Sequence, residues 1–394
     1  MFSTRVPRDL TANRLTIAVA AQRAAGRSLI DLTESNPTRA GFDYPADLLA
    51  PLADARALAY APTPLGLREA REEVSRDFAR QRLDVPADRI ALTASTSDAY
   101  SVLFKLLCDA GDEVLVPRPS YPLFEPLAAL DAVAPRAYDL DIHGGWTIDV
   151  SSVERAITPR TRALLVVTPN NPTGSLVSDD ELDRLAAICA PRGIAIVADE
   201  VFVDYELEPG ALSRAGRVAA RADVLSFSLG GLSKSIGLPQ VKLGWIAVAG
   251  PEPLARAALE RLEHVSDAYL AVSTPVQIAA PALLARGAAI RLQIAERVAV
   301  NYRMLKAGGD ALAPCRVLRS DAGWYAVLHV PSLEPEEDLV LRLLATDEVL
   351  VHPGYFFDFP RESFLVVSLL PPPAAFAEAV ARVLRHFDCT VRRP

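Results

Sequence analysis

The chain has 394 residues, 51% apolar and 23% charged, enough for two domains or for one large domain with a smaller appendage. A formal net charge of -8 argues against a nucleic-acid or anionic-membrane surface, because both need clustered positive charge. The N-terminus "MFSTRVPRDL" lacks the apolar core of a signal peptide, and no window reads as a membrane span of roughly 20 apolar residues, so the cytoplasm is the expected compartment.

The first 45 residues carry Pro- and Asn-rich turns and are expected to form an arm packed on a C-terminal unit. From residue 46 to 275 short β-rich runs alternate with helical ones. "RIALTAS" (89–95) precedes a helical "DAYSVLFKLLCDA", followed by "DEVLVP" and "RALLVVTP" (162–169). Ser178 and Glu181 form a capping box that opens the next helix. "IAIVADE" (194–200), "ADVLSFS" (222–228) and "LGWIAVAG" (243–250) are further strands. Several lack strict alternation, as strands buried on both faces should, so the pattern predicts an α/β fold with a mainly parallel sheet sandwiched by helices. Residues 276–394 read differently: long Ala/Leu/Arg helical stretches (277–312), then "CRVLRS", "GWYAVLHV" and "SFLVVSLL", then a helix over 373–387, together a smaller α+β domain. Cys108, Cys189, Cys315 and Cys389 are scattered without a CxxC pair and read as buried thiols, with no metal site implied.

In an open parallel sheet, ligands sit beyond the carboxyl ends of the strands, and several motifs fall there. "TASTSDAY" (93–100) sets Ser95, Thr96 and Ser97 at a helix N-terminus, either a plain cap or a phosphate cradle. "PRPSYP" (117–122) brings Tyr121, "TPNNPTG" (168–174) brings Asn171, and "ADEVF" (198–202) brings Asp199, each an ordinary turn or strand-end feature when taken alone. "LGGLSKSIGLPQVKLGW" (229–245) holds Lys234 and Lys242, two of only four lysines. Its "GGLS" offers small residues for close backbone approach to a ligand, yet it is no Walker loop, since serine precedes the lysine.

The ordered set "YAPTPLGLREA", "NNPTG", "ADEVF" and "LSKSIGLP" resembles the aspartate-aminotransferase superfamily, the fold-type I pyridoxal-phosphate enzymes of class I/II, over nearly the whole chain. The resemblance implies that Lys234 forms the Schiff base with pyridoxal phosphate and carries a proton, and that Asp199 pairs with the ring nitrogen. It further implies that Asn171 bonds the ring 3′-oxygen, that Tyr121 stacks on the ring, and that Ser95, Thr96, Ser97 and Lys242 hold the phosphate. Tyr60 matches a tyrosine that reaches the phosphate from a neighbouring subunit, implying a homodimer with shared sites.

Four positions depart from the family pattern. Phe202 replaces a tyrosine, with Tyr205 a possible substitute. Lys242 replaces an arginine, and Gly231 a serine. Val366 stands where an arginine clamps the substrate carboxylate, leaving Arg39 and Arg361 as candidate replacements. The reading is therefore an aminotransferase moving an amino group between an amino acid or amine and a 2-oxo acid. Its alternatives are elimination, C–C condensation or decarboxylation on the same fold, or a non-catalytic ligand-sensing module.

Overall fold

A computed structural model describes residues 2–142, 144–310 and 315–391. Its centre is an eight-stranded sheet: β1 (Ile90–Thr93), β2 (Glu113–Arg118), β3 (Ala134–Ile142), β4 (Trp146–Ile148), β5 (Thr161–Val167), β6 (Ala195–Asp199), β7 (Ser226–Gly231) and β8 (Gly244–Ala249). Their spatial order is β1-β8-β7-β6-β5-β2-β3-β4. The pairs β2–β3, β2–β5, β5–β6 and β6–β7 are parallel, whereas β8 runs antiparallel to both β7 and β1. Two reversals restore direction, so β1 ends on the same edge as β2, β5, β6 and β7. That edge carries the site.

Strands β5 to β7 are buried almost throughout, which explains their unbroken apolar runs. The sequence reading misses β3 and β4 at the sheet edge, where exposed and buried residues mix without clean alternation. It also starts β7 too early. The strand occupies 226–231, so Gly230 and Gly231 belong to it rather than to a ligand-facing loop. A side chain at Gly230 would strike the Trp245 ring, and one at Gly231 would lie 3.0 Å from the Leu243 carbonyl oxygen. These glycines admit the neighbouring strand, and a Cβ at 231 would need that strand to give by a few tenths of an ångström.

A second sheet comprises β9 (Arg316–Val317), β10 (Tyr325–His329), β11 (His352–Pro353) and β12 (Phe364–Ser368), in the order β9-β10-β12-β11, all antiparallel. Residues Ile30–Asp31 pair in parallel with Val349–Leu350, and the Ser368 hydroxyl donates to the Glu34 carbonyl at 2.6 Å. Helix Thr274–Asp310 joins the two regions. Contrary to the sequence reading, its Thr274–Gly309 span is long and apolar enough by composition to cross a membrane. One face packs into the core through Ala280, Leu283, Ile290 and Ile294, and Arg291 is an ion-paired side chain within it. Cys189 and Cys315 are buried and Cys108 partly so, all unpaired, and Cys389 lies outside the described side chains.

Candidate active site

The shared edge opens into a cavity of about 540 Å³ whose walls include Ser95, Thr96, Ser97, Tyr121, Asn171, Asp199, Lys234 and Lys242. Four neighbouring strands deliver them: β2 leads to Tyr121, β5 to Asn171, β6 ends on Asp199, and β7 runs into the turn bearing Lys234. Tyr60 lies elsewhere. It is 78% exposed, beside Leu270 in a separate concavity.

Each group is held by local bonding. The Ser95 hydroxyl accepts from the Asp98 N–H at 3.1 Å, capping helix Thr96–Leu107, while the Asp98 carboxylate accepts from Ala94 N–H at 2.8 Å. Cap and cradle are therefore compatible: Ser95, Thr96 and Ser97 line the cavity together with Lys242, and the cap leaves other first-turn N–H groups free. Gly244 makes this geometry possible, since a Cβ there would sit 2.9 Å from the Ser95 carbonyl carbon. Lys242 itself adopts a left-handed backbone with φ of 61° at the end of the Pro239–Val241 turn.

In "NNPTG", the Asn170 carboxamide oxygen accepts from the Thr173 hydroxyl at 2.9 Å. The Gly174 carbonyl accepts from Asp321 and Ala322 N–H at 2.9 and 3.0 Å, pinning the turn to the strand-connecting segment of the second sheet. Gly174 has φ of 68° with no room for a Cβ against Ser320. Asn171 is left buried on the cavity wall with its amide oxygen unpartnered.

Asp199 accepts from the Val201 N–H at 3.2 Å and from the Tyr100 hydroxyl at 3.2 Å. Burial nevertheless pushes its carboxyl up to about 6, against those hydrogen bonds and the nearby Lys234 charge. Its neighbour Glu200 points to the opposite face, buried and paired with Arg217 at 3.0 Å and with the Ser228 hydroxyl. Lys234 is pulled down to about 8 by burial, a shift that Asp199 partly opposes. Its Nζ stands 4.9 Å from the Trp324 ring centre and 5.7 Å from that of Phe202.

The turn bearing Lys234 rests on a buried polar network. The Tyr205 hydroxyl donates to the Lys234 carbonyl and, at 3.2 Å, to that of Ser235. Arg291 Nε donates to the same Ser235 carbonyl at 2.8 Å, and the guanidinium pairs with Asp77 at 3.0 Å and Asp204 at 3.4 Å. Tyr205 is thus no substitute for the hydroxyl missing at Phe202. It faces away from the cavity and supports the lysine backbone.

The carboxylate-end candidates also fall elsewhere. Arg39 is exposed and Arg361 lies over the Phe364 ring at 5.9 Å, and neither lines the cavity. Val366 is fully buried in β12 between Val327 and His352. That end of the cavity presents Thr33, Ser35, Tyr325 and His352 with Phe356 and Phe357. Burial takes His352 down to about 4, so its imidazole is neutral at physiological pH. Lys234 and Lys242 are the only cationic side chains lining the cavity among the described residues.

The set suits a phosphorylated pyridine aldehyde. The Ser95 turn and Lys242 match a phosphate, and Asp199 matches a protonated ring nitrogen. Lys234 matches a carbonyl carbon, and the unpartnered Asn171 amide, turned either way, matches a ring oxygen. Sequence reasoning does not reach Tyr100, Tyr325, Ser35 or His352. Tyr100 follows the phosphate motif by one turn of helix, whereas the other three come from regions distant in sequence.

Comparison with known proteins follows the same lines. A family profile described as aminotransferase class I and II matches residues 27–383. Alanine aminotransferase of Mycobacterium tuberculosis is 28% identical over 91% of this chain and 86% of its own length. Human tyrosine aminotransferase is 28% identical over 84% of this chain and 74% of its own. Among solved structures, the alanine aminotransferase of Pyrococcus furiosus superposes with a TM-score of 0.88 at 23% identity, covering 98% of this chain and all of that one. A mutant Thermus thermophilus aspartate aminotransferase gives 0.82 at 25% identity, with 98% and 99% covered.

Proposed function

The chain belongs to the class I and II aminotransferases, pyridoxal-phosphate enzymes, and from that premise we propose a cytoplasmic homodimer whose amino donor is an amine or amino alcohol without an α-carboxylate. The carrying observation is the combination of a complete cofactor set with an arginine-free, aromatic substrate end. Bound pyridoxal phosphate supplies a carbonyl carbon and a ring that stores the electron pair released when the substrate Cα–H bond breaks. Asp199, as an anion, would hold the ring nitrogen and favour its protonated form. Lys234, with its amine held near 8, is partly neutral at physiological pH and can take a proton at Nζ and return it. Phe202 and Trp324 set aromatic rings beside that amine, 5.7 and 4.9 Å from their centres.

A carboxylate stripped of water without a countercharge costs several kcal/mol, so the neutral His352, Tyr325 and Ser35 suit a hydroxyl, an amide or a ring better than an α-carboxylate. Tyr60, exposed and outside its own cavity, supports the dimer, in which Tyr60 of the partner subunit completes each phosphate site. The three described unpaired thiols suit a reducing compartment.

The test is a panel of amino donors mixed with purified holoenzyme while the visible band of the bound cofactor is followed. Alanine, glutamate and tyrosine are set against aromatic primary amines and amino alcohols. The proposal expects those amines and alcohols to aminate the cofactor at least tenfold more efficiently than alanine, and Lys234→Ala to abolish the response. The reverse order removes the substrate reading, and no response to any donor removes transamination. A second reading, decarboxylation, is favoured by buried Val366, because an uncompensated carboxylate is a strained ground state. Carbon dioxide release without a 2-oxo acid acceptor is its signature.

A further inference from the structure

A second concavity, of about 210 Å³, lies where the β3–β4 hairpin meets the second sheet. Its walls carry Arg316, Arg319, Arg361 and His329, with Trp146 and Phe364 as apolar surfaces and Gly144–Gly145 at the rim. No carboxylate lines it among the described residues. The strand register explains the convergence of charge. Arg316 sits directly across from His329, and His329 directly across from Phe364, whose ring lies 5.9 Å from the Arg361 guanidinium. The His329 and Phe364 rings are 5.3 Å apart. One row thus runs Arg316, His329, Phe364 across three adjacent strands, and Arg361, just before the third strand, lies over its Phe364 ring.

What sets this cluster apart is that three guanidinium groups and an imidazole line one concavity that no carboxylate lines among the described residues. Arg319 pairs with Asp321 at 2.8 Å, but Arg316 and Arg361 have no carboxylate within 4 Å among the described residues. Burial first, and then the two guanidinium charges, hold the His329 imidazole below its ordinary range. Guanidinium forks match phosphate oxygens in pairs, and a concave wall concentrates that field. The row is also separate from the reaction. His329 lies four residues along β10 from Tyr325 on the cavity wall, about 13 Å at the usual strand rise.

We propose that this pocket is a binding site for a phosphate monoester or free phosphate, held by Arg316, Arg361 and Arg319 and packed against Trp146. Such an anion bridges the edge hairpin of the large sheet to the second sheet and cancels the repulsion within the row. Its binding is linked to the relative placement of the two sheets that flank the cofactor cavity.

Inorganic phosphate titrated into holoenzyme, at constant ionic strength and with excess pyridoxal phosphate, tests this. The melting temperature should rise saturably, with quenching of Trp146 emission that Trp146→Phe removes. Arg316→Ala combined with Arg361→Ala should weaken the phosphate midpoint at least tenfold while the bound cofactor band is unchanged. Both arginines are exposed, so folding is not at stake, and each single variant should weaken binding less than the pair. A non-saturable response equal to that of chloride overturns the proposal, as does an unchanged midpoint in the double variant. A midpoint that moves with pyridoxal phosphate concentration places phosphate in the catalytic cavity and overturns it equally.

Discussion

Replacing Tyr100 by phenylalanine isolates one hydrogen bond to the group that governs the cofactor ring. The Asp199 carboxylate has two protein donors, Val201 N–H and Tyr100 O–H, both at 3.2 Å. Hydrogen bonds to charged groups contribute about 1.5–3 kcal/mol, and 3.2 Å is long for an O–H···O contact, so the lower figure applies. At 1.36 kcal/mol per unit this moves the Asp199 titration from about 6 up by about one unit. The sign follows from the charge needed. Below its titration point Asp199 is neutral and cannot pair with a ring cation, so cofactor affinity falls as pH drops through about 6 in the wild type. In Tyr100→Phe the same fall begins about one unit higher, and at pH 6 the ionised fraction is about fivefold smaller. The substitution keeps the ring against Phe124, 5.3 Å away edge-on, so packing survives. Pyridoxal phosphate titrated into cofactor-free protein, followed by visible absorbance between about pH 5 and 8, reads the shift. Superimposable profiles for the two proteins would refute the hydrogen-bond account of Asp199.

Two further perturbations separate charge from support. Lys242→Ala removes an exposed cation at the phosphate end, so cofactor affinity should weaken by about two- to fivefold, with kcat retained at saturating cofactor. Unchanged affinity would return Lys242 to the status of a solvated charge. Arg291→Leu strips the buried Asp77 and Asp204 of a shared partner and should cost about 3–5 kcal/mol. Because burial already raises Asp204, the loss should shrink on acidification, where Asp204 takes up a proton. Thermal melts at two pH values check this, and a pH-independent loss would contradict the ionic origin.

Strand ends were legible because a parallel sheet leaves them on one edge, and a residue just past a buried apolar run must therefore face the same opening. That reasoning brings Ser95, Tyr121, Asn171, Asp199 and Lys234 to one cavity. It fails where a position depends on register or on a distant segment. Gly230 and Gly231 look like a ligand loop in sequence but extend β7 against Trp245 and Leu243. Tyr205 sits one helical turn from Phe202 in number, yet the chain turns and sends its hydroxyl beneath Lys234. His352 reaches the cavity only because β11 pairs with β12 at Val366, and nothing local to "VLVHPG" specifies that pairing.

The aromatic wall and the buried acid act on Lys234 in opposite senses to its desolvation, and the balance decides its chemistry. Trp324 and Phe202 favour the ammonium form by about 0.5–2 kcal/mol at most, and at 4.9 and 5.7 Å from the ring centres the lower part of that range applies. Asp199 favours it as well. The amine is still brought from 10.5 to about 8, a difference worth roughly 3 kcal/mol in the other direction, so desolvation outweighs both attractions. The position of Phe202 fits this balance. Phenylalanine adds no hydroxyl to this wall and leaves Asn171 as its unpartnered amide for a ring oxygen. A desolvated lysine that sheds its proton near pH 8 suits a proton-transfer step.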